Sequence, residues 1–232
     1  MTQLPFGRAD FTEPASSVPA TLEGNDMTDA RSTGEAGRLE ELWAGDFGDE
    51  YVTRNLAAGD HREQFWTGVL DRYEIGSALE IGCNIGANLR WIAPTVGAGN
   101  AYGIDVNRTA LAHIHQSLPD AEVIWSPARD LPFRDRRFDL VFTMGVLIHQ
   151  PEETLPLVLS EMVRTSARYV LFGEYYGEST EEVPYRGHEG ALFRRNYGAI
   201  FESLFPDLRL VETGFLSRDE GWDDITWWLY ER

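Results

Sequence analysis

The sequence predicts an α/β fold, a mostly parallel sheet of seven strands with helices on both faces. Three observations carry this. The apolar run Ala78-Leu79-Glu80-Ile81 ends in a turn of small residues, Gly82-Cys83-Asn84-Ile85-Gly86, after which a helix can start. A second apolar run, Tyr102-Gly103-Ile104-Asp105, ends in an acid. Beyond it, strand-like and helix-like segments alternate, as they do in α/β chains. In a doubly wound sheet, an acid closing the second strand lies beside the first turn, where it can accept both hydroxyls of a ribose.

The elements follow in order. Residues 1–36 are rich in Thr, Ser, Gly, Pro, Asp and Glu and poor in apolar anchors, so they read as a disordered tail. Met27 lies inside it, which leaves Met1 and Met27 both open as the start. Residues 37–75 change character: Leu39, Leu42, Trp43, Phe47, Tyr51, Val52, Leu56, Phe65, Trp66, Val69, Leu70 and Tyr73 recur at near-helical spacing. This predicts two or three short helices forming a cap over the ligand site. Residues 76–232 form the main domain. Strands are expected near 77–82, 101–106, 121–125, 138–143, 168–174, 208–214 and 225–231, and helices near 87–94, 107–117, 153–165 and 191–204.

The first turn discriminates between cofactors. A dinucleotide site uses G-x-G-x-x-G to cradle a pyrophosphate. Here Asn84 replaces the middle glycine, and no glycine stands at Asn88 or Leu89. Glu80 two residues before Gly82 suits an amino-bearing or cationic ligand better than a phosphate. S-adenosylmethionine carries a sulfonium and an ammonium and no phosphate.

The pattern E-x-G-x-x-x-G, the acid after the next strand, then Leu131-Pro132-Phe133 and Phe138-Asp139-Leu140-Val141, resembles the class I S-adenosylmethionine-dependent methyltransferases over roughly residues 76–150. The resemblance implies a Rossmann-like sheet whose last two strands form an antiparallel edge pair. It also implies S-adenosylmethionine as donor and S-adenosylhomocysteine as product. Asp105 would take the ribose hydroxyls. Gly82 and Gly86 let the backbone approach the donor, and Asn84 tolerates the left-handed geometry of the turn. Glu80 would anchor the turn or a water near the ammonium. Tyr51 and Arg54 can reach the methionine carboxylate, Arg by two parallel hydrogen bonds; a surface salt bridge is the alternative for Arg54. The Ala128 amide and Asp130 are candidates for adenine, Asp130 equally for capping its loop. Cys83 reads as a buried structural thiol, with a reactive thiol as the alternative.

The turn Thr143-Met144-Gly145-Val146-Leu147-Ile148-His149 after strand four faces the methyl group in this class, which makes Met144 a donor contact. His149 either acts as general base, orients the acceptor or holds its own loop through a backbone hydrogen bond.

The segment Gly173-Glu174-Tyr175-Tyr176-Gly177 through Gly190 is unusually aromatic and ionisable, and connections at this edge lie over the ligand crevice. Together with Gly145–His149, Leu42–Tyr51 and Asp223–Trp228, it resembles the methylases of pseudaminic acid (nonulosonic sugar) biosynthesis clusters. Glu174-Tyr175-Tyr176-Gly177 followed by Glu181-Glu182 also resembles the double-glutamate loop of the protein arginine methyltransferases. That family's second Glu falls on Val183 here, and its loop histidine on Trp227. The second resemblance implies Glu174 and Glu182 clamping a guanidinium. Glu178, Glu181 and Glu182 forming a solvated acidic loop is the alternative. Tyr175, Tyr176, Tyr185, Arg186, His188, Asp224 and Trp227 complete the candidate acceptor contacts. Proton removal falls to Glu174 or His149.

Composition sets bounds. The formal charge of −18, from 38 acids against 20 Lys and Arg, argues against nucleic-acid partners. No run reaches the ~18 apolar residues a membrane span needs. One cysteine excludes an internal disulfide and fits a reducing cytoplasm. No His/Cys/Asp cluster has metal-ligand spacing, so no metal is expected. The leading expectation is methylation of a guanidino or amino nitrogen on a small polar metabolite such as arginine, in specialised biosynthesis. O- or N-methylation of a nonulosonic acid or amino sugar is the alternative. A non-enzymatic adenosyl-ligand sensor and a nicotinamide oxidoreductase represent other classes. The oligomeric state is left open.

Overall fold

The computed structural model describes residues 34–56 and 60–232. The tail expected over residues 1–36 lies, up to residue 33, outside the described residues. Three helices come first: α1 (Glu35–Ala44), α2 (Asp46–Asn55) and α3 (Arg62–Arg72). Their apolar stripes bury Leu39, Val52, Trp66 and Val69. The tight α1–α2 junction depends on Gly48, where a Cβ would sit 1.8 Å from the Trp43 carbonyl oxygen.

The sheet domain runs β1 (Ala78–Ile81), α4 (Leu89–Val96), β2 (Ala101–Asp105), α5 (Arg108–Ser117), β3 (Ala121–Trp125), β4 (Phe138–Met144), α6 (Leu155–Thr165) and β5 (Ser166–Glu174). A short hairpin of β6 (Glu181–Glu182) and β7 (Phe193–Arg194) follows, then α7 (Tyr197–Leu204), β8 (Arg209–Leu216) and β9 (Ile225–Glu231). The seven-stranded sheet has the order β3-β2-β1-β4-β5-β9-β8. Its first five strands are parallel, and β9 runs antiparallel to both β5 and β8. The strand order reverses between β1 and β4, and in open α/β sheets ligands bind at the carboxyl ends of strands at such a switch point.

Strand alternation divides the core in two. Ala78, Leu140, Phe142, Leu171 and Leu229 pack with α3 and α4 on one face. Leu79, Ile81, Val141, Val170 and Phe172 pack with α6 and α7 on the other. The helix expected over 191–204 starts only at Tyr197, because Phe193 and Arg194 pair with Glu182 and Glu181 and Asn196 caps α7 by accepting from Ala199 N at 3.0 Å. Cys83 is buried and burial raises its pKa, the position of a structural thiol. Among the described residues, no helix is long and apolar enough to cross a membrane, and no His/Cys/Asp/Glu group could hold a metal ion.

Candidate active site

A cavity opens at the carboxyl ends of β1, β2 and β4 and is walled on the far side by residues of α1 and α2. The first turn forms its floor. Gly82 and Asn84 have φ of 69° and 44°, and a Cβ on Gly82 would lie 2.4 Å from Val146 Cγ2. Only a glycine lets the turn after β1 and the turn after β4 approach so closely. Gly86 does a different job from the one expected. It is not part of the cavity wall, and its missing Cβ makes room for Ile114 of α5.

Asp105, at the end of β2, faces the cavity. Its Oδ2 accepts from Asn84 N and its Oδ1 from Asn107 N, both at 2.8 Å, leaving lone pairs for a further ligand. Burial raises its pKa, while these backbone donors pull it back.

Glu80 lies on the same wall. Its Oε1 accepts from Asn88 Nδ2 at 2.5 Å, and its Oε2 is buried without a partner. Burial pushes its pKa up to about 8 against the pull of Asn88 and Arg62. Arg62 donates to Asn88 Oδ1 at 2.8 Å, and Trp66 Nε1 donates to the same oxygen at 3.1 Å. The Arg62 guanidinium stacks on Trp222 at 4.6 Å, and its Nε is buried without a partner. Asn84 Oδ1 and Trp43 Nε1 are likewise buried and unpartnered. Orphaned buried polar atoms are costly unless a ligand completes them. Here an acid, an amide oxygen and a guanidinium stand on one wall, with the Asp105 carboxylate beside them. That donor set fits the ammonium, carboxylate and ribose of S-adenosylmethionine.

At the other end, Ser126 and Ala128 of the loop after β3 line the cavity. Glu40 of α1 binds Arg129 of this loop through two bonds of 2.7 and 2.9 Å. Asp130 is exposed and stands outside the cavity wall, so the structure does not place it at an adenine.

Met144, Val146 and His149 form the fourth side. The turn that carries them is fixed by Glu174, at the end of β5. Its Oε1 accepts from Val146 N at 3.2 Å and Leu147 N at 3.1 Å, and its Oε2 from Ile148 N at 3.1 Å. Glu174 is fully buried, and burial pushes its pKa up to about 8 while the amides oppose this. Its carboxylate thus serves the loop backbone and does not face the cavity. Glu182 accepts from Gly190 N on the separate, exposed β6–β7 hairpin. The two glutamates do not converge, so the expected clamp is corrected.

His149 is buried, with Nδ1 2.5 Å from Ala191 O. A carbonyl only accepts, so Nδ1 carries the hydrogen and Nε2 the lone pair. Burial lowers its pKa to about 4. The ring packs on Trp43 (4.6 Å) and Tyr185 (5.3 Å). Trp43 also meets Tyr51 at 5.3 Å, and Phe47 meets His188 at 5.0 Å. The result is an aromatic enclosure built from α1, α2, the post-β4 turn and the loop before β7. Burial raises the pKa of Tyr51 and of Tyr175.

Four expected contacts lie elsewhere. Arg54 pairs with Glu50 at 3.6 Å and stacks on Tyr51, outside the cavity wall, because the turn of α2 that bears it faces outward. Arg186 is exposed on a tight turn at φ 49°. Trp227 is buried in the core against Phe65 at 5.2 Å. Asp224 pairs with Arg218 at 3.1 Å on the rim of a neighbouring groove that Tyr175 and Tyr176 also line. Sequence reasoning missed Arg62, Asn88 and Trp43. Arg62, Trp66 and Val69 form one helical stripe, a signal that points Arg62 inward with the core.

Residues 78–168 match the family model described as a methyltransferase domain. No curated protein matches the chain. Among solved structures, a magnesium protoporphyrin IX methyltransferase from Synechocystis PCC 6803, with bound S-adenosylmethionine, shares 15% identity over 86% of this chain and 97% of its own, at a TM-score of 0.62. The 1,6-didemethyltoxoflavin-N1-methyltransferase of Burkholderia thailandensis shares 12% identity over 85% and 88%, at 0.66. DesVI of Streptomyces venezuelae shares 18% over 79% and 98%, at 0.57. At these identities the likeness is one of fold. The chain thus carries a methyltransferase domain over residues 78–168 within a Rossmann-like fold, and the cavity described above fits S-adenosylmethionine.

Proposed function

We propose that the chain methylates an amino or guanidino nitrogen of a small polar metabolite in specialised biosynthesis. The observation that carries this reading is the aromatic wall of the cavity, formed by Trp43, Tyr51 and His149, with Tyr185 packed behind Trp43 and His149. Aromatic faces attract cations, and positive charge develops on a nitrogen as it is methylated. When bound, S-adenosylmethionine supplies a methyl group made electrophilic by its sulfonium.

The chain's own residues bind and orient. Asp105 holds the ribose, Glu80 and Asn84 the ammonium, Arg62 the carboxylate and the Ala128 amide the adenine. Tyr51 and Met144 pack beside the reacting end. The helices α1 and α2 act as a cap that keeps water out. His149 stays neutral above about pH 4 and adds no charge to repel a cation. Its Nε2 accepts a hydrogen bond from the acceptor nitrogen and aims it. Catalysis is then mostly positioning. Tyr185 packs against Trp43 at 6.3 Å and His188 meets Phe47 edge-on at 5.0 Å, an aromatic surrounding that favours an amine over the sugar carboxylate of the alternative reading.

A methyl-transfer screen with isotope-labelled donor, read by mass spectrometry, tests the proposal. The panel holds arginine, other guanidines, amino acids, amino sugars and nonulosonic acids. Label on nitrogen supports it; label confined to sugar hydroxyls overturns it.

A further inference from the structure

The groove beside the cofactor cavity is lined by Tyr175, Tyr176, Arg194, Phe215, Asp223 and Thr226, with the Arg218–Asp224 pair on its rim. Its floor is the end of the antiparallel part of the sheet, where Phe215 stands opposite Thr226 and Thr226 opposite Glu174. Tyr175 of the groove directly follows Glu174, which fixes the post-β4 turn of the cofactor cavity.

Three features give the groove a polarity. Asp223 forms no hydrogen bond or ion pair with any described residue, and its charge acts on Tyr51 and Arg62 of the cofactor cavity and on Tyr175 of the groove. Asp223 follows Trp222, on whose ring the cavity's Arg62 guanidinium stacks at 4.6 Å, and lines the groove, so it stands at the junction of the two spaces. Arg194, on β7 beside Gly177, has no ion-pair partner among the described residues either, and a Cβ on Gly177 would lie 3.0 Å from its Cβ. Arg218 and Asp224 neutralise each other, which leaves one free acid and one free base. Between them lie aromatic faces that solvent reaches increasingly outward: Tyr175 is half-buried, Tyr176 is 44% exposed and Phe215 58% exposed.

Resting on the N-methylation reading, we infer that this groove is the outer half of the acceptor site. It takes an amphoteric, amino-acid-like acceptor, whose guanidine docks on Asp223 and whose carboxylate docks on Arg194. A guanidinium can bind a carboxylate through one edge and leave a further nitrogen directed inward. The phenol faces of Tyr175 and Tyr176 cover the carbon chain between the two charges. A cation lacking the anionic group keeps only the inner contact.

The test is equilibrium binding by calorimetry on the full chain saturated with S-adenosylhomocysteine. The probes are L-arginine and agmatine, which share a guanidine and differ by a carboxylate. L-Arginine is expected to bind about tenfold more tightly than agmatine. Arg194→Gln should erase that difference, and Asp223→Asn should weaken both probes about tenfold. In both variants the affinity for S-adenosylhomocysteine should stay within about twofold of the parent chain, which shows the cofactor cavity intact. Equal binding of the two probes, or probe binding that neither substitution changes, overturns the inference. So does failure of the parent chain to bind either probe. The N-methylation reading falls separately, only if the methyl-transfer screen labels no nitrogen.

Discussion

Replacing Glu174 by Gln preserves the shape of the side chain and changes one terminal atom. In the native turn, Oε1 accepts from Val146 N and Leu147 N, and Oε2 accepts from Ile148 N at 3.1 Å. A Gln oxygen can serve one side only. The better orientation keeps the first two bonds and sets an NH2 group against the Ile148 N–H. Below about pH 8 the folded carboxyl is protonated and both its oxygens can still accept, whereas the Gln NH2 leaves the Ile148 N–H without an acceptor; a buried donor so left costs ~1–3 kcal/mol, so the expected loss of stability there is about 2 kcal/mol. Domains hold ~5–15 kcal/mol, and the variant should still fold. The turn carries Val146 and His149 to the cavity wall, and misplacing reacting groups by ~1 Å costs on the order of 10²-fold in rate. Guanidinium unfolding and single-turnover kinetics measure the two effects. We expect lower stability, kcat reduced at least about tenfold and unchanged cofactor affinity. A general base facing the acceptor would lose rate without losing stability, so a fully stable Glu174→Gln variant refutes the positioning role. The pH dependence adds a check. Unfolded, this carboxyl titrates near its ordinary 4.5; folded, burial pushes it up to about 8. Between these values the folded state keeps a proton that the unfolded state has released. Its contribution to stability is therefore full below about 4.5 and is lost as pH rises through about 8. Glu174→Gln should flatten part of this slope, to which Glu80, with the same upward shift, also contributes.

Three further outcomes follow from the cavity. Arg62→Gln should weaken S-adenosylhomocysteine binding at least about tenfold by calorimetry, whereas Arg54→Gln should change it less than about twofold, because only Arg62 lines the cavity. Asp105→Ala should cost ~2–3 kcal/mol of cofactor affinity, roughly 30- to 150-fold, through the lost ribose bonds and the loosened Asn84 turn. Gly48→Ala should destabilise the chain by ~1–3 kcal/mol, read as a lower melting temperature, since its Cβ would press on the Trp43 carbonyl at 1.8 Å.

Much of the fold and the cofactor half of the site is legible in the sequence, where one element carries its own signal. The turn after β1 and the acid after β2 are marked by residue type at fixed offsets from apolar runs, and strand pairing puts Ile81 beside Ile104 and so brings them together. The choice between Arg54 and Arg62 is not legible in the same way. Arg54 follows the apolar stripe of α2 and Arg62 opens that of α3, and where Arg54 points depends on how α2 crosses α1, which is set by Gly48 and by Asn107 bonding Asp49 at 2.9 Å. Glu174 is misread when its loop is considered without its strand. The alternation of β5 puts it on the same face as Val170 and Phe172, which pack in the core, and not toward an acceptor. The aromatic enclosure draws on four separate segments, and no local pattern announces it.

The helix α1 has a consequence for ligand traffic. Leu39, Glu40 and Trp43 wall the cofactor cavity, while Arg38 on the same helix donates to Glu189 O at 2.9 Å, in the loop on the acceptor side. A single rigid rod thus touches both substrates' surroundings. Any preference the donor imposes on the position of α1 is transmitted to the acceptor's loop, and by thermodynamic reciprocity the acceptor alters donor affinity by the same factor. Loosening Arg38 from Glu189 would remove one of the links, beside the packing of Trp43 on His149 and Tyr185, through which the two sides of the cavity sense each other.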